Sequence, residues 1–389
     1  MGGGAKKRRF VSFEELRNDW RSLLKRTLFD RSCYDFACDT MLNHMEVEAG
    51  GRCRCCCTTF VKESIGNVLD ETAEEIWGGR LHRILCLSVQ NRTYSFCDKE
   101  MCPLFIGRKA EGRPSEAPYR EMEPAPRVLA LGYDPSCNLS CETCRKEAYV
   151  LKGKEQELAC RISDRIRPGA ENCRFLIMAG DGEVFASRAY RRVYEGMGTK
   201  GPGFVRLLSN GTLFSQPAWE RLRERIRGKV MATFSIDAAV KETYEAIRRG
   251  GNFEALRRNM EFAARLRRSG ELSYFRLNFV VQRKNFREMP LFVQWGLELG
   301  ADEVFFTKIL NWGTYREEEF REVSMMEADG VTPKPELEEI LRQPLMENRI
   351  VDLGTIRCRR EACRIPQIYN YYMWELERKV PGLFDQNQG

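Results

Sequence analysis

"SCNLSCETCRKE", residues 136–147, carries Cys137, Cys141 and Cys144 on one short stretch, with three and then two residues between them. A fold rarely needs that much sulfur in so few positions. Zinc, disulfides and an iron–sulfur cluster each suit clustered thiols, and each predicts a different protein. A structural zinc site takes four protein ligands, usually as two closely spaced pairs. Here three cysteines share the stretch and no fourth ligand is near. Cubane iron–sulfur clusters are held by thiolates, and three of them leave one iron open for a small ligand.

The surroundings of the triplet predict the fold. Short apolar runs, VLALGY (128–133), FLIMAG (175–180), VRLLSN (205–210), VMATFSI (230–236), YFRLNFVVQ (274–282) and EVFFTKIL (303–310), read as six strands. Amphipathic stretches at helical spacing lie between them, among them ETYEAI, NFEALRRNMEFAARLRR and MPLFVQWGLELG. Strand–helix alternation of this kind predicts an α/β parallel sheet, open or curled into a partial barrel. Ligands of such folds sit at the carboxyl ends of the strands. The polar motifs fall there: the triplet after the first run, Gly180-Asp181-Gly182-Glu183 after the second, and Ser209-Asn210-Gly211 after the third. Ser235 and Asp237 close the fourth, and Gln282 closes the fifth.

With 389 residues, 43% of them hydrophobic and 31% charged, the chain has room for a core and an appendage. No run approaches the roughly 18 apolar residues of a membrane span, and the opening MGGGAKKRRF lacks a signal-peptide core. The expectation is a cytoplasmic protein. Of the +7 formal charge, Lys6, Lys7, Arg8 and Arg9 supply four from one tail, so nothing demands nucleic acid. Sixteen cysteines are many for a reducing compartment, where clustered thiols bind metal more often than they pair. Residues 103–127 hold five prolines and few large apolar groups, as a linker does. The expected order is a basic N-terminal arm and helix (1–37), a cysteine-rich module (38–104), the linker (105–127), the α/β domain (128–320) and a C-terminal extension (321–389).

The triplet's spacing, followed by these strand-end motifs in order, resembles the radical S-adenosylmethionine (SAM) superfamily over roughly residues 126–320. The resemblance implies a partial (β/α)6 TIM-like barrel. It implies that Cys137, Cys141 and Cys144 hold a [4Fe-4S] cluster whose open iron chelates SAM. Gly180, Asp181, Gly182 and Glu183 look like the family's Gly-Gly-Glu motif, which meets the methionine amino group. Ser209, Asn210, Ser235, Asp237, Arg248 and Gln282 resemble the remaining cofactor-binding positions, with Arg248 the natural partner of a carboxylate because its guanidinium can bind it bidentately. Thr143 stands where the family usually has an aromatic residue, and Val184 where it commonly has proline.

Residues 38–104 resemble the auxiliary-cluster domain called SPASM, here placed before the barrel instead of after it. The pattern runs through Cys38, Gly51, Cys56, Gly66-Asn67, Glu75-Ile76-Trp77, Cys97 and Cys102-Pro103. It implies an auxiliary [4Fe-4S] cluster on Cys38, Cys56, Cys97 and Cys102, with Cys57 the rival of Cys56. Zinc is the alternative there. Cys358 and Cys363 repeat the spacing of Cys97 and Cys102, and could serve a second auxiliary cluster or be free thiols. His44 and His82 are expected to be structural.

The resemblance implies reductive cleavage of SAM to a 5′-deoxyadenosyl radical, which abstracts hydrogen from a substrate carbon. An external electron donor such as flavodoxin or ferredoxin would supply the electron. The stretch before Cys38 is short for a winged-helix peptide-recognition domain, which tilts the expectation toward a small polar substrate such as a carbohydrate. The competing substrate is a ribosomally made precursor peptide. An iron–sulfur electron carrier or redox sensor without catalysis is the reading from another class.

Overall fold

The computed structural model describes residues 40–357 except 59, 101, 106–122, 179, 199 and 312, together with Ser22, Lys25, Tyr34, Phe36 and Cys38. Most of the expected arm and linker, and Cys33, Cys358 and Cys363, lie outside the described residues. Contacts divide the described residues into two compact units, with the boundary between Ala130 and Leu131.

In the first unit, a short helix α1 (Thr40–Asn43) leads into β1 (His44–Glu48), β2 (Arg52–Arg54) and β3 (Gly66–Asn67). The three pair antiparallel, Val47 with Cys53 and Cys53 with Gly66. The β1–β2 turn needs Gly51, whose φ is 80° and whose Cβ would lie 2.6 Å from Asn67 Oδ1. Thr72 caps helix α2 (Ala73–Trp77) in a reciprocal box with Glu75, satisfying backbone donors at both positions. That helix presses Ile76 onto Gly66, where a Cβ would approach the side chain to 2.7 Å. Helix α3 (Arg80–Gln90) follows, burying Ile84, Leu85 and Val89. His82 is fully buried, its ring nitrogens 2.6 Å from the Trp77 carbonyl and 2.7 Å from that of Met41.

The second unit opens within β4 (Val128–Gly132). Strands β5 (Phe175–Met178), β6 (Phe204–Ser209), β7 (Lys229–Ser235), β8 (Leu272–Val281), β9 (Glu303–Lys308) and β10 (Val351–Asp352) then pair in sequence order, all parallel. Helices α4 (Gly153–Asn172), α5 (Arg188–Glu195), α6 (Gln216–Arg223), α7 (Lys241–Ile247), α8 (Phe253–Ser269), α9 (Met289–Leu299), α10 (Glu317–Val323) and α11 (Pro335–Leu341) complete the unit. The six strands expected from the sequence each form. The parallel sheet extends one strand further than expected, because Val351 and Asp352 pair with Val304 and Phe305 beyond the anticipated end at residue 320.

The sheet's faces differ, as alternation along strands dictates. One carries Phe234, Leu277, Phe279 and Val304 and packs on helices; Gly296 of α9 sits so close that a Cβ there would lie 2.4 Å from Val304 Cγ2. Register places Arg206, Thr233, Arg276 and Glu303 on the other face. All four are buried.

The contact between Gly66 and Ile76 makes a testable pair. Gly66→Ala should cost on the order of 1–3 kcal/mol by overpacking. The double variant Gly66→Ala/Ile76→Ala should be less destabilised than the sum of the single changes in denaturant titrations. Strict additivity would mean the two residues do not press on each other.

Candidate functional site: a three-cysteine loop at the strand ends

The Cys137–Cys144 loop leaves β4 and is tied down by backbone bonds on both sides. Cys137 exchanges backbone hydrogen bonds with Tyr149, at 2.7 and 3.2 Å. The amides of Ser140 and Glu142 donate to the carbonyls of Arg249 and Ile247 at the end of α7, each at 3.0 Å. Cys137 and Cys141 are buried and Cys144 is exposed. Burial pushes the Cys137 thiol up.

Each sulfur has an N–H donor from a side chain. Asn210 Nδ2 lies 3.7 Å from Cys137 Sγ, Arg248 Nη1 lies 3.6 Å from Cys141 Sγ, and Arg145 Nε lies 3.4 Å from Cys144 Sγ.

Glu183 joins the ends of three strands. Its amide donates to the Ser136 carbonyl after β4, at 2.7 Å. Its carboxylate accepts from Ser209 Oγ (2.8 Å) and the Asn210 amide (2.6 Å) at the end of β6, and from the Phe185 amide (3.2 Å). Burial pushes this carboxyl up to about 7, against the pull of those donors. Gly182 is required for packing: a Cβ would lie 2.4 Å from the Asp134 carbonyl oxygen. A Cβ on Gly180 would meet Gly132 Cα at 3.5 Å, an ordinary contact. The Asp181 carbonyl accepts from Arg145 Nη2 at 2.5 Å.

Buried Asp237 and largely covered Arg248, whose side chain is 12% exposed, form an ion pair of 2.6 Å. Burial raises the Asp237 carboxyl, and Arg248 opposes that rise. For Arg248, burial works against the charge, but Asp237 and then Cys141 outweigh it and hold the guanidinium protonated. Asp237 has φ of 67°, a left-handed conformation that aspartate tolerates better than most residues. Its side chain accepts from the Val280 amide and its carbonyl from Asn285 Nδ2, each at 2.8 Å.

Beside this pair are polar atoms with no partner among the described residues: Arg248 Nε, both amide atoms of fully buried Gln282, and the Tyr244 hydroxyl. Buried polar groups are nearly always hydrogen-bonded, so this rim has capacity for a polar ligand. The hydroxyl of half-buried Ser235 makes no hydrogen bond among the described residues. An all-thiolate loop with cationic and amide donors at its sulfurs suits an iron–sulfur cluster, and the unused polar atoms suit a zwitterionic ligand such as SAM.

In the first unit, burial raises Cys56 most, and proximity to Cys38, Cys97, Cys102 and Cys57 raises it further. Cys97 and Cys102 are likewise raised by burial and then by cysteines of the same group. Buried thiols that repel one another as thiolates fit a cationic cofactor that would compensate them. Among the described residues, no three His, Cys, Asp or Glu side chains are arranged to hold a single metal ion. Cys53 and Cys86 stand apart: Cys53 bonds the Gly51 carbonyl at 3.7 Å and Cys86 packs 3.2 Å from His82 Nε2.

Sequence reading missed Arg145 and Tyr244. The signal for Arg145 was its position next to Cys144; Tyr244 lies on α7 four residues before Arg248, whose amide, just past the helix, donates to the Tyr244 carbonyl at 2.7 Å.

No family model matches the chain. It is similar to two curated proteins named probable GTP 3′,8-cyclase, from Methanococcus maripaludis strains C7 and C5. Each is 23% identical over 175 residues, 45% of this chain and 56% of the relative. The chain thus spans about half the length of the curated relatives it matches. Among solved structures, Streptococcus suis SuiB bound to precursor peptide SuiA has a TM-score of 0.43 at 12% identity, covering 62% of this chain and 51% of that one. Native anSMEcpe with bound AdoMet has a TM-score of 0.35 at 20% identity, covering 47% and 52%. For methylornithine synthase (PylB) the TM-score is 0.35 at 14% identity, covering 51% and 57%. Likenesses this distant carry no residue roles or substrates across. The similarity to the cyclases supports the radical SAM resemblance read from the motifs.

Glu183 makes the site pH-sensitive in a defined direction. Its pKa is about 7 in the fold against an ordinary 4.5, so the folded state binds more protons and stability falls as pH rises through that window. A tenfold difference in proton affinity between the folded and unfolded states is worth about 1.4 kcal/mol. The melting temperature of Glu183→Gln should gain on that of the unmodified protein between pH 5 and pH 8. A gap that stays constant with pH would refute this assignment.

Proposed function

We propose that the chain is a radical SAM enzyme acting on a small polar substrate. One observation carries this reading: three cysteines on a single loop at the carboxyl ends of parallel strands, each sulfur met by an N–H donor, with unused buried polar atoms on Arg248 and Gln282 at the same rim. Bound there, a [4Fe-4S] cluster with SAM would supply reductive cleavage and hydrogen abstraction. Cys137, Cys141 and Cys144 would hold the cluster. Arg248 would present Nε to the methionine carboxylate while Asp237 fixes its plane. Glu183 has accepted three hydrogen bonds and keeps acceptor capacity for the methionine ammonium, whose charge would favour its ionised form. Ser209 and Asn210 would set the orientation of that carboxylate, with Gly180, Asp181 and Gly182 shaping the turn before it. Ser235 and Gln282 would contact the rest of the cofactor.

The sheet face with Arg206, Thr233, Arg276 and Glu303 supports a polar substrate. Arg276 Nε bonds Asn278 Oδ1 at 2.7 Å, and Arg206 Nε bonds Thr233 Oγ1 at 3.2 Å. The curated relatives are named for GTP, itself a small polar molecule. We assign Cys38, Cys56, Cys97 and Cys102 to an auxiliary [4Fe-4S] cluster. The electron would come from a flavodoxin or ferredoxin in the cytoplasm.

Reconstituted protein should carry about eight irons per chain, two clusters of four. Cys97→Ser should lower this to about four and leave SAM cleavage measurable, whereas the triple change of Cys137, Cys141 and Cys144 to Ala should abolish cleavage. Release of 5′-deoxyadenosine after reduction tests catalysis; its absence from a fully loaded protein would leave an electron carrier. Deuterium transfer into that product from labelled sugars or nucleotides, set against labelled peptides, tests the substrate class.

Arg248→Ala should weaken SAM binding by tens to thousands of times, since losing one partner of a buried charge contact costs on the order of 2–5 kcal/mol. Its iron content should be kept. Lys284→Ala, an exposed residue paired with Glu142 at 2.7 Å, should bind SAM as the unmodified protein does. Equal affinities for the two variants would remove Arg248 from the SAM site.

A further inference from the structure

The sulfur of Cys144 differs from the other two in being exposed, and it is the one whose donor adjoins it in sequence. Arg145 uses all three nitrogens of its guanidinium. Nε donates to Cys144 Sγ at 3.4 Å, Nη1 to the Pro135 carbonyl at 2.6 Å, and Nη2 to the Asp181 carbonyl at 2.5 Å. Those carbonyls belong to the turns that leave β4 and β5. A lysine could supply the charge, but its compact ammonium cannot span two carbonyls and a sulfur in one plane.

We infer that Arg145 is a positioning residue that sets the reduction potential of the cluster on this loop, by holding a fixed positive charge and an N–H donor against the Cys144 sulfur. The inference rests on the reading of Cys137, Cys141 and Cys144 as cluster ligands. Hydrogen bonds to the sulfurs, net charge and solvent exposure are the protein's levers on cluster potential. Reduction adds negative charge to the cluster and its thiolates, so a guanidinium on the exposed sulfur stabilises the reduced form. Arg248 and Asn210 also donate to Cys141 and Cys137, but their side chains are themselves assigned to the SAM site, whereas Arg145 meets that site only through the backbone carbonyl of Asp181. Arg145 is therefore the cleaner probe.

The experiment is a redox titration of the reconstituted full-length protein without SAM, followed by electron paramagnetic resonance. Iron content is measured beside it, and the Cys97→Ser background removes the auxiliary signal. Arg145→Gln should load the same iron, yet at a fixed applied potential its ratio of reduced to oxidised cluster should fall about tenfold. That corresponds to about 59 mV lower for a one-electron couple. Lys146→Gln, which removes the neighbouring exposed charge, should move the ratio far less, because exposed charges are screened. Equal ratios for Arg145→Gln and the unmodified protein would overturn the inference, as would an equal shift from Lys146→Gln. Should Arg145→Gln fail to retain iron, Arg145→Met, which also removes the charge and the donors, carries the test, and a ratio identical to the unmodified protein's would overturn the inference. Unmodified protein that takes up no cluster on this loop would bring down the proposed function, and this inference with it. An unchanged potential in a loaded variant removes the role of Arg145 alone.

Discussion

A single buried carboxylate organises the rim. Glu183 is reached by donors from the end of β6 and from its own turn, while its amide anchors the segment leaving β4. Without it, Ser209 and the Asn210 amide would lose a buried acceptor, and unmet buried donors cost on the order of 1–3 kcal/mol each. Asn210 in turn aims its amide at Cys137. The sulfur loop is thus placed relative to the sheet by a short relay: carboxylate, strand end, amide, sulfur. The other side of the loop is held by the end of α7, through backbone bonds from Ser140 and Glu142 and through Arg248.

Burial explains why so few residues control so much. Glu183 and Asp237 are buried and Arg248 is largely covered, so water does little to compensate charge on any of them. Such groups persist when their geometry is close to ideal and their remaining lone pairs are used. Asp237 and Glu183 meet this condition through backbone amides, and Arg248 meets it in part. The unused Arg248 Nε and Gln282 amide are what a folded core would not keep without a reason.

Much of this was legible in the sequence because it is encoded locally. A strand of five to ten apolar residues announces itself, and polar residues at its carboxyl end fall at the rim once the sheet is parallel. The triplet spacing is also local, so Cys137, Cys141 and Cys144 could be grouped without coordinates. Strand β10 escaped because two residues carry no periodicity; parallel pairing with β9 alone defines it. Arg145 escaped for a different reason. A charged residue after a cysteine-rich stretch reads as a solvated side chain, and only the fold brings Pro135 and Asp181 within its reach. Gly182 and Gly66 were visible as glycines, but their purpose, the close approach of Asp134 and of Ile76, depends on segments distant in the chain.

Position 237 shows how narrowly chemistry can restrict the choice of residue. The left-handed backbone there admits glycine, asparagine and aspartate at modest strain. Of these, only aspartate offers a negative charge to Arg248. Asparagine would satisfy the backbone and still accept from the Val280 amide, yet it would take from the guanidinium its ion-pair partner, the larger of its counter-charges. Conformation and electrostatics each allow several residue types here, and their intersection contains one. Such a position has almost no freedom to drift, because a change that suits the backbone fails the arginine, and one that suits the arginine, glutamate, strains the backbone.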